Sequence, residues 1–186
     1  MVLTYLGEGS FRLQSGEISL LVDPPNNRLK ADVVLKTAAA LPLTGETEKQ
    51  DISLPGEYEI KGIEINGIAI ARDDSGAPIT VYLVRWEGIV FGILTRLTKI
   101  PDAGILEKLN EPDVIFLQVG KKFLAVDAAE KVMRQIEPKL VAIGCASPAE
   151  VLKSFGEKGE PQEKIVFRRK DVDAIEGMNV VVLKAS

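Results

Sequence analysis

The chain has 186 residues, with 23 Lys and Arg against 27 Asp and Glu, one Cys and no His, and 46% of its residues are hydrophobic. This length and apolar content suffice for one hydrophobic core, so a single domain over residues 1–186 is expected. The net charge of −4 lacks the positive field that attracts phosphate backbones or anionic lipid, which disfavours nucleic acid and membranes as partners. Without His, Ser-His-Asp and Cys-His catalysis and imidazole metal sites are excluded.

The cysteine content and the N-terminal sequence indicate a compartment. Cys145 has no second cysteine with which to form an intramolecular disulfide, and this favours a reducing environment. The first residues lack the basic and apolar regions of an export signal. No apolar stretch reaches the roughly 20 residues of a membrane helix. The sequence therefore predicts a cytoplasmic protein.

The first half of the chain is predicted to form strands. Residues 4–6, 11–13 and 18–22 are apolar segments separated by turns that contain glycine. Asn66-Gly67 lies between pairs of alternating isoleucines and predicts a type I′ hairpin turn. Glu87-Gly88 predicts a second hairpin. Signals for helices are scarce up to about residue 95.

After residue 100 the pattern changes to alternating helices and strands. Helices are predicted after Asp102, from Asp127 with Glu130 in the spacing of a capping box, and after Ser147-Pro148 until Gly156. Strands are predicted over residues 113–119, 139–143, 165–167 and 179–183. Strands followed by alternating helices and strands predict a layered α/β or α+β domain.

Six segments share their order with one known family. They are residues 5–11 (YLGEGSF), 21–24 (LVDP), 31–35 (ADVVL), 55–60 (PGEYEI), 136–139 (IEPK) and 180–184 (VVVLK). In this order they resemble the metallo-β-lactamase fold, and within it a bacterial branch described as zinc-dependent hydrolases. The resemblance covers nearly the whole chain. It implies a four-layer αββα sandwich, with two sheets face to face, helices outside and a site on the rim.

The same resemblance places other residues where the family carries metal ligands. Register from residues 32–35 and Thr37 aligns four positions with the family's His-x-His-x-Asp-His motif, and two later positions with its bridging carboxylate and a further His. These former metal positions are Ala38, Ala40, Pro42, Leu43, Thr95 and Cys145. Glu8 replaces the His of the family's opening Leu-Gly-His motif. Because zinc needs at least three converging protein ligands, the resemblance implies no metal, no cofactor and no hydrolysis by metal-bound hydroxide.

Four residues are candidates for a metal-independent mechanism. They are Glu8, Asp23, Thr95 and Cys145. Glu8 and Asp23 are expected near the same rim, where a close carboxylate pair can share a proton. The structural alternatives are that Asp23 accepts backbone N–H bonds in its turn and that Cys145, which has no base, is a buried core residue.

Basic residues near the rim are candidates for holding an anion. They are Lys36, Arg96, Lys121 and Lys122. The alternative is solvated surface lysines. Tyr82 and Trp86 are expected to pack in the sandwich, since their strand is apolar on both faces.

These observations predict a catalytically inactive, metal-free protein that acts as a binding or scaffold subunit, with another chain or a small ligand bound in the remnant cleft. The alternatives are a hydrolase with a metal-independent mechanism, a small-anion-binding module, and a self-associating structural protein. A homo-oligomer formed through a sheet edge or the apolar side of the cleft is expected.

The former metal site is expected to be closed by its own side chains. Leu43 should pack inward against Leu94 and Ile143, and Cys145 should join this apolar cluster with a disfavoured thiolate. Thr95 should donate to a nearby carbonyl, while Glu8 and Asp23 should stay at the wet margin.

Overall fold

A computed structural model describes residues 1–26, 28–39, 51–72, 76–109, 112–156 and 159–186. Ala40, Pro42 and Leu43 lie outside the described residues. The strands are β1 (Val2–Gly7), β2 (Ser10–Ser15), β3 (Ile18–Val22), β4 (Val33–Leu35), β5 (Asp51–Ile52), β6 (Gly56–Ile60), β7 (Ile63–Arg72), β8 (Pro78–Trp86), β9 (Ile89–Leu94), β10 (Val114–Val119), β11 (Leu140–Cys145), β12 (Lys164–Val166) and β13 (Asn179–Leu183). The helices are α1 (Ala103–Lys108), α2 (Val126–Ile136), α3 (Pro148–Ser154) and α4 (Arg169–Asp173).

The strands form two sheets. One has six strands in the order β12-β1-β2-β3-β4-β5, and the other has seven in the order β13-β11-β10-β9-β8-β7-β6. In the larger sheet β6 to β9 are antiparallel neighbours, whereas β9, β10, β11 and β13 run parallel. Since parallel strands end at the same edge of a sheet, the loops after β9, β10 and β11 lie together.

The hydrophobic core lies between the two sheets. Alternate residues of each strand point into it, as the period of two in a strand requires. Phe11 on the smaller sheet stacks on Phe116 of the larger one, with ring centroids 5.4 Å apart, and Phe91 lies 5.9 Å from Phe116. Such aromatic pairs contribute about 0.5–1.5 kcal/mol each beyond the burial of their area.

A second apolar cluster lies between the seven-stranded sheet and helices α1, α2 and α3. Ala129, Val132 and Met133 form the buried face of α2, as their helical spacing predicts. The predicted sandwich of facing sheets with helices outside is therefore confirmed. None of the described helices packs on the outer face of the six-stranded sheet, and none is long and apolar enough to cross a membrane.

Helix α4 lies at the end of the sandwich where β9 and β10 begin. Arg169 donates to the carbonyl of Gly88 at 2.8 Å and to the Asp113 carboxylate at 2.7 Å. It also pairs with Asp173 at 2.6 Å. Asp113 in turn accepts the N–H of Val90 at 2.9 Å. We call Arg169, Asp113 and Asp173 the Arg169 cluster, because the guanidinium joins α4 to both sheet strands.

The prediction of a hairpin turn at Asn66-Gly67 is wrong. Both residues lie inside β7, and the turn consists of Lys61-Gly62, with φ of 52° and 76°. Gly67 is required for another reason: a Cβ at this position would lie 2.9 Å from Cε1 of Tyr82. The second hairpin is confirmed, since Glu87-Gly88 joins β8 to β9 with positive φ at both residues.

Two helix starts differ from expectation. The prediction of a capping box formed by Asp127 and Glu130 is wrong. Helix α2 begins at Val126, and its N-cap residue, Ala125, has no side chain that could accept a hydrogen bond. Helix α4 is too short to produce a periodic signal. Its start is set by Asp171, which accepts the N–H of Arg168 at 2.9 Å.

Candidate functional site

The candidate site lies on the rim, by which we mean the loops that follow β3, β4, β9, β10 and β11. Asp23, at the centre of the rim, follows β3 with a left-handed φ of 41°. Its Oδ1 accepts the N–H of Thr37 at 2.8 Å, and its Oδ2 accepts the hydroxyls of Thr37 at 2.5 Å and Thr95 at 3.2 Å. The strain of the left-handed backbone is offset by these bonds.

Asp23, Thr37 and Thr95, which we call the Asp23 cluster, join the two sheets. Thr37 follows β4 of the smaller sheet and Thr95 follows β9 of the larger one. Both threonines are fully buried, and the Asp23 side chain is only 6% exposed. A buried carboxylate that accepts three hydrogen bonds is held by both sheets and can be removed only at high cost.

This geometry differs from three expectations. Asp23 does not stay at the wet margin, because its neighbours bury it. The Thr95 hydroxyl donates to a carboxylate and not to a carbonyl. The structural alternative expected Asp23 to accept backbone N–H bonds in its own turn; the backbone N–H that it accepts comes instead from Thr37, which follows β4.

The segment that follows β4 is fixed against the opposite sheet. Thr80 on β8 donates its N–H to the carbonyl of Thr37 at 2.8 Å, and Ala38 forms an isolated bridge with Ile79. The Tyr82 hydroxyl donates to the carbonyl of Lys36 at 2.9 Å. Burial raises the pKa of Tyr82, so the phenol remains a neutral donor. Tyr82 and Trp86 are buried, as predicted.

Cys145 ends β11 on the side that faces the helices. It belongs to the apolar cluster beneath α2 and α3. Burial raises the pKa of the thiol to about 11, and a hydrogen bond from the backbone of Ser147 offsets only part of this effect. A thiol with this pKa is uncharged at neutral pH, so the structure provides no activated nucleophile at this position.

Glu8 lies in the turn between β1 and β2 and is exposed, with φ of 49°. The next residue, Gly9, lies against the rim: a Cβ there would be 3.6 Å from the carbonyl oxygen of Thr95 and 3.7 Å from the ring of Phe123. Glu8 is therefore in solvent while Asp23 is buried and already accepts its hydrogen bonds. The structure does not create a shared acid–base environment for these two carboxylates.

The four predicted anion-binding residues differ in their surroundings. Lys36 forms an ion pair with Asp51 at 2.5 Å, and Nε of Arg96 lies 3.6 Å from Asp23. Lys121 and Lys122 are exposed in the turn that follows β10 and have no carboxylate partner among the described residues. Of the four, these two lysines therefore keep an uncompensated charge at the rim.

Sequence reasoning missed a buried polar group beside the rim. Gln118 on β10 is 3% exposed, and its Oε1 has no hydrogen-bond partner among the described atoms. It faces the ring of Tyr5, which fits there because Gly144 has no side chain: a Cβ would lie 2.4 Å from Cε2 of Tyr5. Burial raises the pKa of Tyr5, while hydrogen bonds from Gln118 and the Gly9 backbone lower it. The sequence signal that could have identified this buried group is the single amide side chain, Gln118, within the otherwise apolar strand β10 (VIFLQV).

The described residues of the rim do not fit a zinc ion. Among the residues described, no group of three or more His, Cys, Asp and Glu is placed to hold a metal. The one central carboxylate, Asp23, already accepts bonds from two threonines, and the described former metal positions Ala38, Thr95 and Cys145 offer a methyl group, a hydroxyl and a neutral thiol. Zinc binds imidazole, thiolate and carboxylate groups.

Two facing sheets with a site on their common rim define the metallo-β-lactamase-like class of sandwich. A family model described as a beta-lactamase superfamily domain matches residues 2–142. The chain therefore belongs to the beta-lactamase superfamily. No curated protein matches it in sequence.

Solved structures share the fold over nearly the whole chain. A candidate zinc-dependent hydrolase of the metallo-β-lactamase superfamily from Thermotoga maritima is 20% identical, covers 100% of this chain and 99% of its own, and has a TM-score of 0.79. A metallo hydrolase from Ignicoccus hospitalis is 17% identical, with 90% and 99% covered and a TM-score of 0.64. The metallo-β-lactamase fold protein YhfI from Bacillus subtilis is 9% identical, with 95% and 88% covered and a TM-score of 0.61. At these identities the likeness shows the fold alone.

Proposed function

We propose that this protein is a catalytically inactive, metal-free member of the superfamily that acts as a binding or scaffold subunit. The carrying observation is the chemistry of the described former metal positions. Ala38 offers a methyl group, the Thr95 hydroxyl already donates to Asp23, and the Cys145 thiol is buried with a raised pKa. The described residues therefore provide no converging set of ligands where metal hydrolases need one.

The same geometry weighs against a hydrolase with a metal-independent mechanism. Such an enzyme needs a nucleophile or an activated water beside a base. The thiol of Cys145 lies among apolar side chains and has a raised pKa, and Glu8 lies in solvent, away from the buried Asp23. The Thr95 hydroxyl is a donor to Asp23, and the carboxylate is itself shared with Thr37, so neither is free to activate a substrate.

Metal analysis and a hydrolase screen test the inactive state. The purified chain should contain no stoichiometric zinc, iron or manganese, and a chelator should leave its thermal midpoint unchanged, because the described residues include no ligand set that couples metal binding to folding. Hydrolysis of ester, lactam and phosphodiester substrates should stay at background with and without added Zn²⁺ or Mn²⁺. Metal-dependent turnover, or a midpoint lowered by the chelator, would contradict the proposal.

The binding role has its own test. The chain isolated from its native cell should co-purify with a stoichiometric protein or small molecule, or should have a mass above that of the monomer in light scattering. A monomer that carries nothing at high concentration would remove the support for a scaffold. This outcome is independent of the metal analysis.

Binding of a small anion is a second candidate, favoured by the unpaired Lys121 and Lys122. Inorganic phosphate should perturb the amide signals of the β10–α2 turn in an NMR titration. The double substitution Lys121→Glu and Lys122→Glu should abolish this response, whereas Lys153→Glu, an exposed control on α3, should not. Equal responses of the two variants would assign the effect to nonspecific screening.

A further inference from the structure

The two sheets have four edges, and these differ in how they are covered. The β13 edge is covered by Gln162, which donates its N–H to the carbonyl of Val182 at 2.9 Å and accepts the N–H of Lys184 at 2.9 Å. Strands β5 and β12 have two and three residues. Strand β6, with five residues, presents the longest edge among the described strands that no other segment covers.

The backbone groups at the β6 edge follow from the hairpin register. Ile60 pairs with Ile63 across the two-residue turn, so Ile60, Tyr58 and Gly56 form the hydrogen-bonded pairs with β7. The N–H and C=O groups of Glu57 and Glu59 therefore point away from β7. Within the described residues no other group bonds to them. The edge thus offers two donors and two acceptors in the spacing of a strand.

The side chains of β6 divide between two faces. Tyr58 and Ile60 pack against the core between the sheets. Glu57 and Glu59 are exposed on the opposite face, beside Glu64 on β7. This outer face forms an open groove of about 480 Å³, whose lining includes Glu57, Glu59, Glu64 and Arg85. Three carboxylates face one guanidinium there, so the groove is acidic.

The acidic face selects against a second copy of this chain. Antiparallel pairing of two β6 edges would place Glu57 and Glu59 opposite the same glutamates of the second copy. Like charges directly opposite each other destabilise a sheet. A segment with cations at alternate positions would instead form favourable cross-strand pairs with both glutamates, and apolar residues between them would meet Tyr58 and Ile60.

We propose that the free edge of β6 binds an extended segment of another polypeptide, with Lys or Arg at alternate positions on the outer face and apolar residues on the inner face. The segment adds an eighth strand to the seven-stranded sheet. Main-chain hydrogen bonds to Glu57 and Glu59 hold it, and the glutamate side chains select its charge. The proposal names a partner for the binding role above and in that sense rests on it. Its test uses neither metal nor substrate, so a failure of this proposal can be distinguished from a failure of the proposed inactive state.

The test uses the full chain and a short fluorescent peptide that alternates Lys and Val. Fluorescence anisotropy should show saturable binding, and amide hydrogen exchange at Glu57 and Glu59 should slow in the complex. The double substitution Glu57→Lys and Glu59→Lys should weaken binding about tenfold or more, because two favourable cross-strand charge pairs become unfavourable. The double substitution Glu107→Lys and Glu150→Lys, at exposed positions of α1 and α3, changes the net charge by the same amount; it is the matched control and should leave binding unchanged.

Two further peptides separate strand addition from simple charge attraction. N-methylation of the peptide at alternate residues removes the donors that would face β6 but keeps every charge, and it should abolish binding. A peptide that alternates Glu and Val should not bind. Two results would overturn the proposal. One is that the methylated peptide binds as well as the parent peptide; the other is that the Lys-Val peptide binds the natural chain no more tightly than it binds the charge-reversed variant. In either case the glutamates only protect the edge from association.

Discussion

The rim and the opposite end of the sandwich are both held by clusters of polar side chains, but the two clusters have opposite character. The Asp23 cluster is buried, and its donors are two hydroxyls and one amide. The Arg169 cluster is partly exposed, with an Arg169 side chain that is 41% accessible and carboxylates beside it. Hydrogen bonds to a buried carboxylate contribute more to stability than ion pairs that solvent screens. The rim should therefore dominate the stability of the fold.

The largest expected effect is the removal of the buried carboxylate. Asp23→Ala should lower the free energy of unfolding by about 3–4 kcal/mol, because it leaves two buried hydroxyls and an N–H without an acceptor and places alanine at a left-handed φ. Asp23→Asn should lose about half as much, since asparagine tolerates this backbone and keeps one acceptor. Urea unfolding followed by the fluorescence of Trp86, the one tryptophan, measures both. Equal losses would show that the lost negative charge accounts for the whole effect and that the left-handed backbone contributes nothing.

The second-largest loss of stability is expected where Gly144 contacts the Tyr5 ring beside the rim. Gly144→Ala should destabilise by about 1–3 kcal/mol, because its Cβ would overlap the Tyr5 ring. The matched control is Gly104→Ala in α1, where an added Cβ would meet nothing within 4 Å and alanine favours the helix. Thermal midpoints of the two variants should move in opposite directions. A neutral Gly144→Ala would mean that the rim is loosely packed.

Disruption of the Arg169 cluster should cause a smaller loss of stability, and this loss should depend on salt concentration. Arg169→Ala should cost about 1 kcal/mol at low ionic strength and less at high ionic strength, because its ion pairs are solvated. The hydrogen bond with Arg169 lowers the pKa of Asp173, so this contribution is present above the carboxyl's ordinary pKa and is lost as the pH falls below it. Urea midpoints at two salt concentrations measure the effect, and a loss independent of salt would contradict it.

The smallest effect at neutral pH is expected at Cys145. Its pKa is raised from 9.0 to about 11, so the folded state retains the thiol proton and gains stability that is complete below pH 9 and lost as the pH rises towards 11. Cys145→Ala should remove this alkaline slope and leave the pH profile below about 8 unchanged in shape. A thiol reagent should label Cys145 quickly in urea and slowly in the folded chain. Rapid labelling of the folded chain would show an open site at the rim.

Sequence patterns predicted the fold better than the site. The hairpin at Glu87-Gly88 and the helix with Ala129, Val132 and Met133 depend on local residues, and both are confirmed. The Asn66-Gly67 pattern led to a wrong prediction of a turn. Gly67 is needed there because the Tyr82 ring on the neighbouring strand leaves no space for a Cβ. A dipeptide pattern cannot distinguish a turn from such a contact.

The Asp23 cluster was missed for a similar reason. The sequence places Asp23 in a turn, but the two threonines that surround it lie 14 and 72 residues away. The resemblance identified their neighbourhood as the former metal site without predicting that a carboxylate and two hydroxyls would occupy it together. Gln118 was overlooked because a single amide does not change the apolar pattern of its strand.

The pairing of β1 with β12 has a consequence for the order of folding. Val2 lies opposite Val166, so β1 has no outer partner until synthesis has passed β3 to β11 and reached β12. Contacts of this sequence separation form slowly, because a long loop must close before they give any stabilisation. During synthesis the edge of β1 remains unpaired while the seven-stranded sheet still lacks β13. We expect the nascent chain to be most prone to aggregation in this interval, and chaperone dependence to end once residues 164–183 have left the ribosome.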